Sequence, residues 1–120
     1  MLLAEYEVLI VSRYFLALLL TIAIEAAVAW LFGFRTLRPQ LALAGINCLT
    51  NPALNLLLLV LAARGVQAQL PLVALLELGV VVVEWRLLVY ALGGPPRRLF
   101  LLSLAANAAS FLAGVVLFWR

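Results

Sequence analysis

Three glutamates and four asparagines interrupt long apolar runs: Glu25, Glu77 and Glu84, with Asn47, Asn51, Asn55 and Asn107. Carboxylates and amides in such settings bind cations, carry protons or orient a polar solute. In hydrocarbon each is costly unless another polar group meets it. Asn47, Asn51 and Asn55 follow one another at i, i+4 and i+8, a spacing that stacks three amides on one helix face. Thr50, Ser103 and Ser110 are read as supporting donors, and Arg86 as a cation able to neutralise a nearby carboxylate.

Other chemistries find few residues to work with. Histidine and aspartate are absent and Cys48 is single, so zinc sites, histidine-based triads and aspartate pairs are excluded. No metal site and no cofactor are assigned. Cys48 can form no intramolecular disulfide and is read as a small packing residue. Ser103 and Ser110 have no base at nucleophile spacing. Glutamate and amide oxygens could still accept a hard cation, and two glutamates could serve as acid and base on an isoprenoid-like substrate. A lipid-active intramembrane enzyme is therefore retained as a third class. No basic face or aromatic platform suggests nucleic acid.

The elements that must position these groups follow from composition. The 120 residues are 68% hydrophobic and only 11% charged, with mean hydropathy +1.25. A soluble domain of this size needs more polar surface, so the expected first partner is the lipid bilayer. The fold class expected is an all-α membrane protein forming one domain over 1–120. Its four transmembrane helices cover about 14–34, 40–63, 70–92 and 99–119. Glu5 and Glu7 make the N-terminal stretch unlike the basic start of a signal peptide, and it is read as the first turns of the opening helix. Pro39 and Pro71 suit first turns, and Gly65 suits a helix end. Pro52 predicts a kink or local unwinding around Asn47–Thr50. Val80–Val83 is read as helix, since a lone strand in lipid leaves its backbone unsatisfied. Phe118 and Trp119 are expected at the membrane interface.

Spans one–two and three–four read as two copies of one hairpin. The first holds Glu25, an Arg/Pro loop and Asn47-x-x-Thr50. The second holds Glu84, a Gly/Pro/Arg loop and Asn107-x-x-Ser110, with Glu-to-Asn separations of 22 and 23. Two-span copies share one orientation, so the hairpins are parallel-related about an axis along the membrane normal. At ~1.5 Å per residue Glu25, Glu77, Glu84, Asn47, Asn51, Asn107 and Arg86 fall in one band near mid-membrane, giving the bundle a polar interior. Ser103, Asn107, Ser110 and Gly114 form a polar stripe, and small neighbours such as Ala105 and Ala109 allow close helix approach. Arg35, Arg38, Arg86, Arg97 and Arg98 outweigh Arg13, Arg64 and Arg120, which leans towards both termini outside.

In size, and in the single glutamate of its first span, the chain resembles the small multidrug-resistance transporters, which are four-helix dimers. The resemblance lies in architecture, and no residue is carried over from it. Asn107-Ala108-Ala109-Ser110-Phe111 is likewise similar to an Asn-x-x-Ser-Phe pattern of small fluoride channels, here on the fourth helix. The expectation is a multi-pass transporter or channel for a cation or polar solute, assembled as a homodimer or with other membrane subunits. Glu25 and Glu84 are the expected charge or proton carriers. The alternative is a non-catalytic subunit or assembly factor of a larger membrane complex.

Overall fold

The computed structural model describes residues 2–118, in four helices: α1 Leu2–Leu31, α2 Leu37–Ala63, α3 Leu70–Leu92 and α4 Pro96–Phe118. Among the described residues there is no strand, and the Val80–Val83 run is helical. The stretch with Glu5 and Glu7 continues α1. The expectations for Trp119, Arg120 and the Phe118 side chain lie outside the described residues.

Chain chemistry explains the ends. α1 stops three residues earlier than hydropathy suggests because Gly33 takes the left-handed conformation, φ +95°. The amide of Phe34 then donates to Ala29 O at 2.9 Å and that of Gly33 to Trp30 O at 3.1 Å, which satisfies carbonyls of the last turn. α2 ends the same way, with Val66 N to Leu61 O at 2.8 Å and Gly65 N to Ala62 O at 3.0 Å. At its start, Pro39 lies in the first turn, where its missing N–H costs nothing. Pro52 does not unwind α2, which is helical without a break from Leu37 to Ala63. The one helical carbonyl that Pro52 leaves without a donor belongs to Cys48, and the flanking ladder is enough to carry the helix past it.

Each helix packs against its two neighbours in a ring, α1–α2–α3–α4–α1, and among the described residues there is no backbone contact across the diagonals. Short loops make successive helices antiparallel. The α1–α2 and α3–α4 loops lie at one end of the bundle, and the α2–α3 loop, the start of α1 and the end of α4 at the other. Near the two-loop end the interior is filled by Ala29, Leu43, Leu88, Leu99 and Leu102.

The polarity of the bundle is reversed relative to a soluble one. Glu25, Asn47, Thr50, Glu84, Ser103 and Asn107 are buried, while Leu31, Leu59 and Val116 are among many large apolar residues left exposed. Three helices are long and apolar enough to cross a membrane, over Glu7–Leu31, Leu37–Ala63 and Pro96–Leu117. α3 has 23 residues but carries Glu77, Glu84 and Arg86 close together. It holds its place through its neighbours on either side, α2 and α4.

Candidate functional site

The buried polar residues form a closed ring around all four helices. Asn47 on α2 donates its Nδ2 to Glu25 Oε2 on α1. Thr50, one turn along α2, donates its Oγ1 to Glu84 Oε1 on α3 at 2.6 Å. Asn107 on α4 donates to the other oxygen, Glu84 Oε2, at 2.5 Å. Ser110, one turn further along α4, closes the circle with a 3.4 Å contact to Glu25 Oε1. Each carboxylate thus accepts on both oxygens, an amide from its own hairpin and a hydroxyl from the other. The spacing explains this: residues three apart on a helix share a face but diverge enough to reach different neighbours.

The ring can be satisfied in more than one protonation state. As drawn, both glutamates act only as acceptors, which suits ionised carboxylates. Each hydroxyl also has a second acceptor on its own helix, Ile46 O at 3.0 Å for Thr50 and Asn107 O at 3.1 Å for Ser110. A proton added to either glutamate can therefore be donated to the hydroxyl oxygen, whose own hydrogen turns to that carbonyl. No buried group is orphaned by the exchange, and none is unsatisfied in the ring as it stands.

Second contacts lock the geometry. Ser103 donates to Val81 O at 2.8 Å, tying α4 to α3. Asn107 also reaches Ser103 O at 2.9 Å. Arg86 does not enter the site: it is exposed and lies over the Trp85 ring at 5.5 Å. Its position two residues beyond Glu84 turns it by about 200° around the helix, so it cannot neutralise the buried carboxylate. Cys48, next to Asn47, is also exposed rather than packed inside.

On the terminal side of the ring lies a cavity of about 250 Å³. Asn47, Glu84 and Asn107 form its floor, and Glu77, Asn51 and Asn55 stand farther out along its wall. None of the residues of the apolar plug lines it. The expected stack of three amides spreads out: Asn47 is buried, Asn51 half-buried and Asn55 exposed. Each four-residue step advances about 40° beyond a full turn, so by Asn55 the amide has rotated towards the rim. Asn55 Nδ2 donates to both Asn51 O and Asn51 Oδ1 at 2.9 Å, which makes the outer amides a local pair. Thr21 on α1 also borders the cavity, one turn before Glu25.

The other end is closed by the apolar plug and by contacts the sequence reading did not anticipate. Arg38 Nη2 donates to Ala91 O at 3.2 Å, and Arg98 Nη2 to Phe32 O at 2.5 Å. Arg98 also lies over the Phe34 ring at 4.6 Å. Gln40 Nε2 reaches Ala26 O at 3.1 Å and Phe34 O at 2.8 Å. In the sequence these arginines enter only as part of the positive charge of the loops after spans one and three. Their equal spacing before Asn47 and Asn107, nine residues in each hairpin, was the available signal for a paired role.

Among the described residues no three histidine, cysteine, aspartate or glutamate side chains come together in a group that could hold a metal ion. Of the two buried carboxylates, Glu84 borders the cavity and Glu25 is linked to it through the ring residues of α2 and α4. Comparison with protein-family models, curated proteins and solved structures gives no match, so the functional reading rests on this geometry.

Proposed function

We propose that the chain is a multi-pass membrane protein whose four helices all cross the bilayer, and that it transports a cation or polar solute. The observation that carries this reading is buried Glu84 at the floor of a cavity that stops short of the apolar plug, with buried Glu25 in the same hydrogen-bonded ring. The apolar exterior supports the membrane setting, because only lipid makes such a surface favourable. α3 tolerates its charged residues because Glu84 is hydrogen-bonded inside the bundle and Arg86 lies near the two-loop end, within reach of the headgroups.

The two hairpins supply a mechanism for alternating access. Within each hairpin an asparagine ties the helices together through a glutamate. Among the described residues the hydrogen bonds between hairpins are the two hydroxyl–carboxylate contacts and the two arginine–carbonyl clasps, on the ring and its loop side. Proton or cation exchange at a glutamate changes what its hydroxyl partner must do. A rocking of one hairpin against the other would then close the cavity and open the plug. The clasps and hydroxyl contacts exchange symmetrically between halves, and this supports a duplicated hairpin. Orientation with both termini outside follows from the arginine excess at the two-loop end.

The test is flux in liposomes holding a trapped pH indicator, under inward gradients of sodium, potassium and alkylammonium ions in turn. The wild-type protein moves protons in response to at least one gradient, and Glu84→Gln abolishes the response while leaving expression and folding intact. A second reading, a non-catalytic subunit or assembly factor of a larger membrane complex, is favoured by Gly45 and Gly79. Both are exposed and have nothing within 4 Å of an added Cβ, which leaves room for another helix to approach. Co-purification of a fixed partner, with no Glu84-dependent flux, would select it.

A further inference from the structure

Residues 26–46 and 85–106, which build the two-loop end of the bundle, hold Arg35, Arg38, Arg86, Arg97 and Arg98 and no acidic residue. All five arginines are exposed. Two of them are held in place around the last turn of α1. Arg35 Nε donates to Trp30 O at 3.2 Å, and its guanidinium lies 4.1 Å from the centre of the Trp30 ring. Arg98, arriving from α4, donates to Phe32 O and lies over the ring of Phe34, the residue next to Arg35. The two acceptor carbonyls are two residues apart, so both guanidinium groups attach to one short stretch of chain at the α1–α4 seam.

A guanidinium carries five N–H donors and a full charge. Among the described residues, Arg35 and Arg98 each meet one acceptor, a neutral carbonyl, which satisfies a donor and leaves the charge unbalanced. These charges lie where the helices leave the hydrocarbon, and an anion is held there more strongly than in bulk water. Phosphate suits the pair because it accepts charge-assisted bonds from two guanidinium forks at once. Beside the pair, Trp30 and Leu31 are 51% and 73% exposed, an apolar surface on which an acyl chain can lie. We infer that the α1–α4 seam at the two-loop end binds an anionic phospholipid, with its phosphate between Arg35 and Arg98. Arg35 belongs to the first hairpin and Arg98 to the second, so the bound headgroup ties the hairpins together beside the Arg98 clasp. The lipid is thus a ligand of the closed end and not a solute. This inference rests on the membrane setting proposed above and does not require transport.

The experiment is equilibrium binding of radiolabelled dioleoylphosphatidylglycerol to the full chain in a neutral detergent, with dioleoylphosphatidylcholine and inorganic phosphate as competitors. Phosphatidylglycerol should bind saturably, displaced only by at least tenfold more phosphatidylcholine and not by inorganic phosphate at its own concentration. Arg35→Gln and Arg98→Gln should each weaken binding at least fivefold, because one phosphate bridges both. Arg13→Gln with Arg64→Gln, at the other end, should change it less than twofold. Equal displacement by phosphatidylcholine would mean no preference for charge, and displacement by inorganic phosphate would mean a soluble anion; either overturns the inference. An equal loss in the Arg13 and Arg64 variant would mean diffuse attraction to net charge and overturns it too. The wild-type competition needs no variant to fold. Alkaline carbonate washing of membranes that hold the chain separates the two readings. A chain that stays in the membrane but shows no lipid preference overturns this inference alone, whereas a chain released by carbonate overturns the membrane setting and this inference with it.

Discussion

Asn107 donates to Glu84 across the α3–α4 interface at 2.5 Å, and Asn47 repeats the contact with Glu25 across α1–α2. The correspondence extends beyond the asparagines. Arg38 and Arg98 each precede their asparagine by nine residues, and the carbonyls they cap, those of Ala91 and Phe32, each follow a glutamate by seven. In every case the arginine of one hairpin caps the first helix of the other.

The amide–carboxylate pair gives the first prediction. Asn107→Ala removes a donor from a buried carboxylate and should destabilise the protein by roughly 1–2 kcal/mol. Replacing both partners, Glu84→Leu with Asn107→Leu, should cost less than the sum of the single changes, because no polar group is then left unmet. Unfolding of the four chains of this double-mutant cycle in one detergent measures the difference.

The arginine clasps give the second. Leu43 is buried in the plug, 2% exposed. In a Cys48→Ser chain, Leu43→Cys should resist a water-soluble maleimide applied from the two-loop side. Adding Arg38→Ala and Arg98→Ala should raise the labelling rate severalfold. Lysine at these positions should restore protection only in part, since its point charge does not reproduce the guanidinium fork. An unchanged rate would show that the clasps do not hold this end shut.

Gly33 gives the third. Its φ is +95°, and a Cβ there would come within 2.9 Å of Arg98 Nη2. Gly33→Ala should therefore destabilise by about 1–2 kcal/mol through backbone strain, and should also disturb the clasp. Gly45→Ala, with open space around it, should instead be neutral or slightly stabilising in mid-helix. Thermal unfolding of the two variants side by side separates the cases.

Much of this architecture is legible in the sequence, and for physical reasons. The helices show because apolar runs of lipid length are rare elsewhere, and the Glu–Asn pairing shows because nearly equal separations, 22 and 23 residues, imply similar geometry. The end of α1 at Leu31 is less visible, since Phe32 and Phe34 keep the run apolar while Gly33 alone turns the chain. The crossing of Thr50 to Glu84 and of Ser110 towards Glu25 depends on which neighbour lies on each side, a property of the assembled ring. Arg38 and Arg98 look like surface charges because their acceptors are backbone carbonyls, which no side-chain pattern reveals. Arg86 reads as a partner for Glu84 by proximity in sequence, yet the helix turns it outward.

The most direct measurement is proton-coupled flux in liposomes for the wild-type chain, Glu25→Gln and Glu84→Gln, each first shown to be folded by its unfolding profile. The account predicts flux in the wild type and its loss in both variants, because each carboxylate is one half of a single ring. Folded variants that carry flux at the wild-type rate would contradict it.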